Sequence, residues 1–216
     1  MRWVVVVPVK DAAAGKTRLA EHLDGVTRVA LARAMALDTI AAATGCAAVE
    51  AVVVVSADAV VRAEAPQLPG AHVVLVDEPG PGRGSPLDRA VLAGVARARA
   101  RHPLGGVAVL LGDLPALRPG DLADALAAAA GHDRAVVPDA AGTGTTLLTA
   151  LPDVGLSPRF GAGSAAAHAG LGHVVLDVGL ASSLRHDVDL PGDLDATVAR
   201  GTGPRTRAVL HRHVPD

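Results

Sequence analysis

Three aspartates are the residues of this chain best suited to chemistry. Asp187 and Asp189 stand two apart in His186-Asp187-Val188-Asp189-Leu190-Pro191. In an extended segment, residues two apart face the same side. Two carboxylates a few ångströms apart repel, and one pKa rises unless a cation sits between them. Magnesium takes oxygen ligands and commonly binds through one or two carboxylates plus substrate phosphates. Asp113 follows Gly112 at the end of an apolar run. There it could join the pair around one Mg2+ ion, contact a ribose, or cap the next turn, a common role for Asp. Asp193 we assign to capping a helix that starts near Pro191.

A basic loop is the second constellation. The chain has two lysines and eighteen arginines, and both lysines, Lys10 and Lys16, fall within the first sixteen residues. An ammonium is a flexible point charge and a guanidinium a rigid fork, so the two are not interchangeable. Gly15-Lys16-Thr17 resembles the end of a P-loop, but that motif needs Gly at position 10, where Lys10 stands. Two readings stay open. Lys10, Lys16 and Arg18 neutralise a triphosphate while the amides around Gly15 approach it, or the loop is a solvated basic turn.

Two Gly-rich turns complete the set, Gly142-Thr143-Gly144-Thr145-Thr146 and Arg159-Phe160-Gly161-Ala162-Gly163-Ser164. Gly allows close backbone approach to a ligand. A helix starting near Ser164 would point free amides at an anion. Together the turns suggest a site for a small phosphorylated acid. The nine histidines show no zinc spacing, and most are expected at the surface. There is no Gly-x-Ser-x-Gly elbow. Cys46 has no His near it in sequence and is expected to be a buried or incidental thiol.

These residues need a scaffold. Val4–Val9, Ala51–Val55, His72–Val76 and Val107–Leu111 are apolar runs of the kind buried on both faces of a parallel sheet. Helical spacing falls between them, over 26–43 with Thr27 as a possible cap, 58–65, 87–101 and 119–130. Shorter strands are expected at 134–137, 145–149 and 173–176, and helices at 164–169 and 191–199. Strand–helix alternation predicts an α/β fold with a mostly parallel sheet and helices on both faces. Ligands in such sheets bind outside the carboxyl ends of the strands, where the basic loop and Asp113 fall. We expect one domain over 1–200. The polar tail, 201–216, is expected to fray or to cover a neighbour.

Composition narrows the function. The chain has 216 residues and a net charge of −2, with one Trp, one Phe and no Tyr. That argues against nucleic-acid binding, which needs basic surface and aromatic stacking. No apolar run reaches a membrane span, and no basic segment followed by a long apolar run opens the chain. A lone Cys fits a reducing cytosol, so a cytoplasmic protein is expected.

With these segments in hand, the chain resembles the guanylyltransferases of coenzyme F-420 biosynthesis, which act on 2-phospho-L-lactate or phosphoenolpyruvate. The resemblance rests on Val7-Pro8-Val9-Lys10, Gly15-Lys16-Thr17-Arg18-Leu19, Gly112-Asp113-Leu114-Pro115, Gly142-Thr143-Gly144-Thr145, Pro158-Arg159-Phe160-Gly161 with Ser164, and Asp187-Val188-Asp189-Leu190-Pro191. It implies a three-layer α/β/α sandwich of the nucleotide-diphospho-sugar transferase type. It implies GTP and a small phosphorylated carboxylic acid as substrates. Asp113, Asp187 and Asp189 would hold Mg2+. Thr145, Gly161 and Ser164 would contact the acid, and the Lys16/Arg18 loop would serve the GTP phosphates, with Asp113 beside the chemistry. Where the family often has Asn near the guanine, this chain has Asp88, whose carboxylate could still accept from the base. The GC-rich composition leans toward phosphoenolpyruvate. The rival readings are a molybdopterin guanylyltransferase or a sugar-phosphate cytidylyltransferase of the same fold, and a non-catalytic nucleotide-binding regulator.

Overall fold

The first apolar run forms β1 (Trp3–Val9), and all seven of its residues are buried. A strand with no solvent side belongs inside a sheet. In a computed structural model, which describes residues 1–14, 19 and 23–213, β1 is the third of seven strands. The others are β2 (Val49–Ser56), β3 (His72–Val76), β4 (Gly106–Leu110), β5 (Arg134–Pro138), β6 (Thr145–Ala150) and β7 (Val174–Val175). Their order is β3-β2-β1-β4-β6-β5-β7. Strands β1 to β4 pair in parallel, as do β5 and β7, whereas β6 lies antiparallel to both β4 and β5. The expected sheet is therefore mostly parallel, with β6 reversed.

Alternate residues of β1 feed opposite layers. Trp3, Val5 and Val7 pack with Leu37 and Ile40 of α1 (Gly25–Thr44) and with Leu122 and Leu126 of α4 (Pro119–Ala129). Val4 and Val6 pack with Ala90, Val91 and Ala98 of α3 (Pro86–Arg101). Burying each such Val or Leu contributes about 1.5–3 kcal/mol. Helix α3 sits close to the sheet because residue 94 is Gly; a Cβ there would run into the Val6 side chain. The short α2 (Ala59–Glu64) follows β2.

Helix α1 begins earlier than expected. Its cap is Asp24, whose Oδ1 accepts the amides of Val26 (2.8 Å) and Thr27 (3.0 Å). Thr27 lies inside the helix and donates its hydroxyl to Asp24 Oδ2. An Asp three residues before a candidate cap satisfies two free amides at once, so Thr27 is not the cap. The polar tail, for its part, covers a neighbour. Residues Pro204–His213 form α7, and the buried Asp38 of α1 accepts the amides of Arg205 (3.2 Å) and Thr206 (2.8 Å) at its start. Val209 of α7 joins Leu31, Met35, Leu194 and Val188 in a small third cluster. Among the described residues, no helix is long and apolar enough to cross a membrane.

Candidate active site

Strand β4 lies beside β1 on the side away from β2, so the connections diverge between β1 and β4. Open α/β sheets bind ligands at such a point. A cleft of about 610 Å³ opens there, within the range of small-molecule sites. Lys10 enters it from the end of β1, Asp113 from beyond β4 and Asp139 from beyond β5. Because β6 is reversed, its first residue, Thr145, reaches the same edge. The Gly142–Thr145 and Arg159–Ser164 turns therefore do meet the acidic residues, as their contributions to the lining show.

The acidic group is assembled by one backbone bond. The amide of Val188 donates to the carbonyl of Asp113 at 3.0 Å. Val188 is fully buried in the third cluster, so its neighbours Asp187 and Asp189 are left beside Asp113 on the same wall of the cleft. Each aspartate offers a carboxylate oxygen, and these three atoms lie within 4.8 Å of one another. Burial first, and then the charges of Asp113, Asp189 and Asp139, push the Asp187 carboxyl up to about 7. The cost of gathering these charges is what a divalent cation would remove. Three hard oxygen donors open to a polyphosphate fit such an ion. Asp193 takes the capping role expected of it: its Oδ2 accepts the amides of Asp189 (3.0 Å) and Leu190 (2.7 Å) before α6 (Pro191–Arg200).

At the other wall, Ser164 begins α5 (Ser164–Gly170), and its hydroxyl donates to Thr145 Oγ1 at 3.1 Å. Both residues are buried. The expectation of free helix amides fails here. The Ser164 amide donates to Gly161 O and the Ala165 amide to Thr143 O, so the hydroxyls, not these amides, are what this wall offers an anion. Gly161 has φ 127°, a value L side chains rarely adopt. Asp88 lies in the first turn of α3, and its Oδ1 accepts the Phe160 amide at 3.0 Å. That oxygen holds the 158–164 turn in place. Lys10 is exposed at the rim. Gly15, Lys16 and Arg18 lie outside the described residues.

A profile of the family described as "Guanylyl transferase CofC like" matches residues 3–213. The chain belongs to this family. A phosphoenolpyruvate guanylyltransferase of Sanguibacter keddieii is 50% identical, over 97% of this chain and 84% of its own length. One from Thermomonospora curvata is 51% identical, over 98% and 90%. Among solved structures, a protein of Desulfovibrio desulfuricans G20 assigned as a nucleotide-diphospho-sugar transferase superposes with a TM-score of 0.71 at 18% identity, covering 98% of this chain and 95% of that one. The fold is thus that of the nucleotide-diphospho-sugar transferases, and this guanylyl transferase is a nucleotidyltransferase.

Three residues that sequence reasoning passed over shape the site of this guanylyl transferase. Asp139 accepts the amides of Thr143 (2.9 Å) and Gly144 (2.8 Å) and so folds the first Gly-rich turn. Its place at the end of a short strand was the available signal. Asp58 is buried, caps α2, pairs with Arg33 at 2.9 Å and accepts the Ala12 amide where the basic loop begins. His168 lies one helical turn after Ser164, a spacing that puts both on one face of α5. It is fully buried rather than at the surface.

Proposed function

We infer that this guanylyl transferase moves GMP from GTP to phosphoenolpyruvate and releases pyrophosphate, giving enolpyruvyl-diphospho-guanosine. The two relatives above carry that acid in their names. In the protein itself, the reading rests on one arrangement: a single cleft in which three carboxylates face a buried hydroxyl pair.

A phosphate oxygen of the acid attacks the α-phosphorus of GTP. A new P–O bond forms, the bond from the α-phosphorus to the bridging oxygen breaks, and pyrophosphate leaves with that electron pair. The attacking phosphate is already anionic, so no side chain has to take a proton from it. The barrier is repulsion between two anions, and positioning with electrostatic stabilisation lowers it. Asp113, Asp187 and Asp189 would hold Mg2+, which supplies positive charge to the polyphosphate when bound. Lys10, followed by Gly15, Lys16 and Arg18, supplies cations and amides to the triphosphate. Thr145, Ser164 and the Gly161 turn hold the acid by neutral donors. Asp88, at the base of α3, supports the guanine side or the turn it already holds. The reading places the protein in the cytoplasm, where a lone buried Cys46 stays reduced.

The deciding experiment supplies GTP with phosphoenolpyruvate and 2-phospho-L-lactate in competition and identifies products by mass spectrometry. The enolpyruvyl product is expected to dominate. GTP binding without pyrophosphate release from either acid would overturn the reading.

A further inference from the structure

His168 is fully buried and stands behind the wall of the cleft. Its two ring nitrogens have different partners. Nε2 accepts the backbone amide of Arg159 at 2.9 Å. A nitrogen that accepts carries no hydrogen, so in the neutral ring the hydrogen is on Nδ1. Nδ1 lies 3.0 Å from Thr145 Oγ1 and therefore donates to it. Thr145 Oγ1 also accepts from Ser164 Oγ at 3.1 Å.

The Thr145/Ser164 pair has two hydroxyl hydrogens, and one closes the bond between them. His168 occupies an acceptor position on Thr145, so the second hydroxyl hydrogen has no acceptor within the chain of bonds. The open side of both residues is the cleft. The pair is thereby fixed as a net donor toward whatever lies there. Without the ring, either hydroxyl could turn and present a lone pair, which an anion would repel. The same ring holds the start of the 159–163 turn through the Arg159 amide, and its edge meets the Phe160 ring at 5.1 Å between centroids.

We propose that His168 is a positioning residue for the acidic substrate: through its Nδ1–H it commits Thr145 and Ser164 to donating a hydrogen bond to the phosphorylated acid. The inference rests on the reading of this wall as the acid subsite. It concerns a ring that does not itself line the cleft.

Steady-state kinetics with GTP and phosphoenolpyruvate test it, on the full chain, with thermal melting to follow the fold. His168→Leu is expected to raise KM for phosphoenolpyruvate about tenfold or more, because a group built to pair is left misdirected, while KM for GTP stays within about twofold. His168→Asn places an amide N–H near the former Nδ1 and should recover most of the loss. His168→Gln offers an acceptor near the former Nε2 but no donor to Thr145, and should stay impaired. On a Thr145→Val background, His168→Leu should add little, since its effect passes through that hydroxyl. Unchanged KM for the acid, an equal rise in KM for GTP, equal behaviour of the Asn and Gln variants, or effects of Thr145→Val and His168→Leu that simply multiply would each overturn the proposal. If His168→Leu does not fold, the Asn and Gln pair decides. If the wild-type protein releases no pyrophosphate, the guanylyl-transfer reading fails separately. Calorimetric affinity for phosphoenolpyruvate then stands in for KM, and affinity that is equal in the wild type and His168→Asn and Gln variants, or absent in all, overturns this inference.

Discussion

The two walls of the cleft treat an anion in opposite ways. On the side of β1 and β4, Lys10 is exposed at the end of β1, and Asp113, beyond β4, faces Asp187 and Asp189 of the loop before α6, a cluster of ionisable groups. On the side of β6 and α5, Thr145, Ser164 and His168 are buried and neutral, and every bond between them has a defined direction. Exposed charges are screened by salt and tolerate many geometries. Buried neutral donors are insensitive to salt and reject a ligand that cannot pair with them. The proposed function gives the polyphosphate to the first wall and the choice among small acids to the second.

Substitutions on the two walls should have different effects. Asp187→Asn should lower kcat on the order of 10³-fold or more while far-ultraviolet dichroism stays unchanged; normal turnover at saturating magnesium would remove the charged wall from the account. Thr145→Val keeps the shape and loses the hydroxyl, and should raise KM for the acid roughly ten- to a hundredfold at any salt concentration. Lys10→Ala should raise KM for GTP only about two- to fivefold. That smaller effect should fade in 0.5–1 M salt, in about the way Debye screening predicts. A salt-dependent Thr145 effect or a salt-independent Lys10 effect would erase the contrast.

Stability offers two finer tests. Asp58→Ala removes a cap and a buried ion pair beneath the start of the basic loop. It should cost about 2 kcal/mol in urea unfolding. The last test uses pH. Burial, reinforced by His173 and Arg159 against the opposing charge of Asp88, lowers the His168 pKa from 6.5 to about 4. The unfolded chain takes up a proton near 6.5 and the folded one only near 4, so neutral His168 contributes its full stability above 6.5. That contribution is lost as pH falls from about 6.5 to about 4, by at most ~3 kcal/mol. His173, also lowered by burial, acts in the same direction. The acid limb of the melting temperature should flatten in His168→Asn.

Much of this was legible in residue types. Four Val-rich runs announced four parallel strands, and each formed within two residues of its expected limits, but β3 lies at the sheet edge and is only partly buried rather than covered on both faces. The three aspartates could be grouped by their chemistry alone. Strand direction could not be read, because Thr145–Ala150 is buried along its whole length and shows no pattern that depends on which way the strand runs. Yet it is the reversal of β6 that delivers Thr145 to the cleft. The bond from Val188 to Asp113 spans 75 residues and is a backbone event that no side chain announces. The amides at the start of α5 read as open from composition, but loop carbonyls take them. His168 was hidden among nine histidines, though its spacing of four from Ser164 was there to be weighed.

The Val188–Asp113 bond has a consequence for the order of biosynthesis. Asp113 emerges from the ribosome with the first four strands, but its two acidic companions come 74 and 76 residues later. A nascent chain can therefore assemble its four parallel strands before the proposed metal site has its other two carboxylates. The proposed metal site is completed only when residues 187–189 meet Asp113, a residue made near the midpoint of the polypeptide.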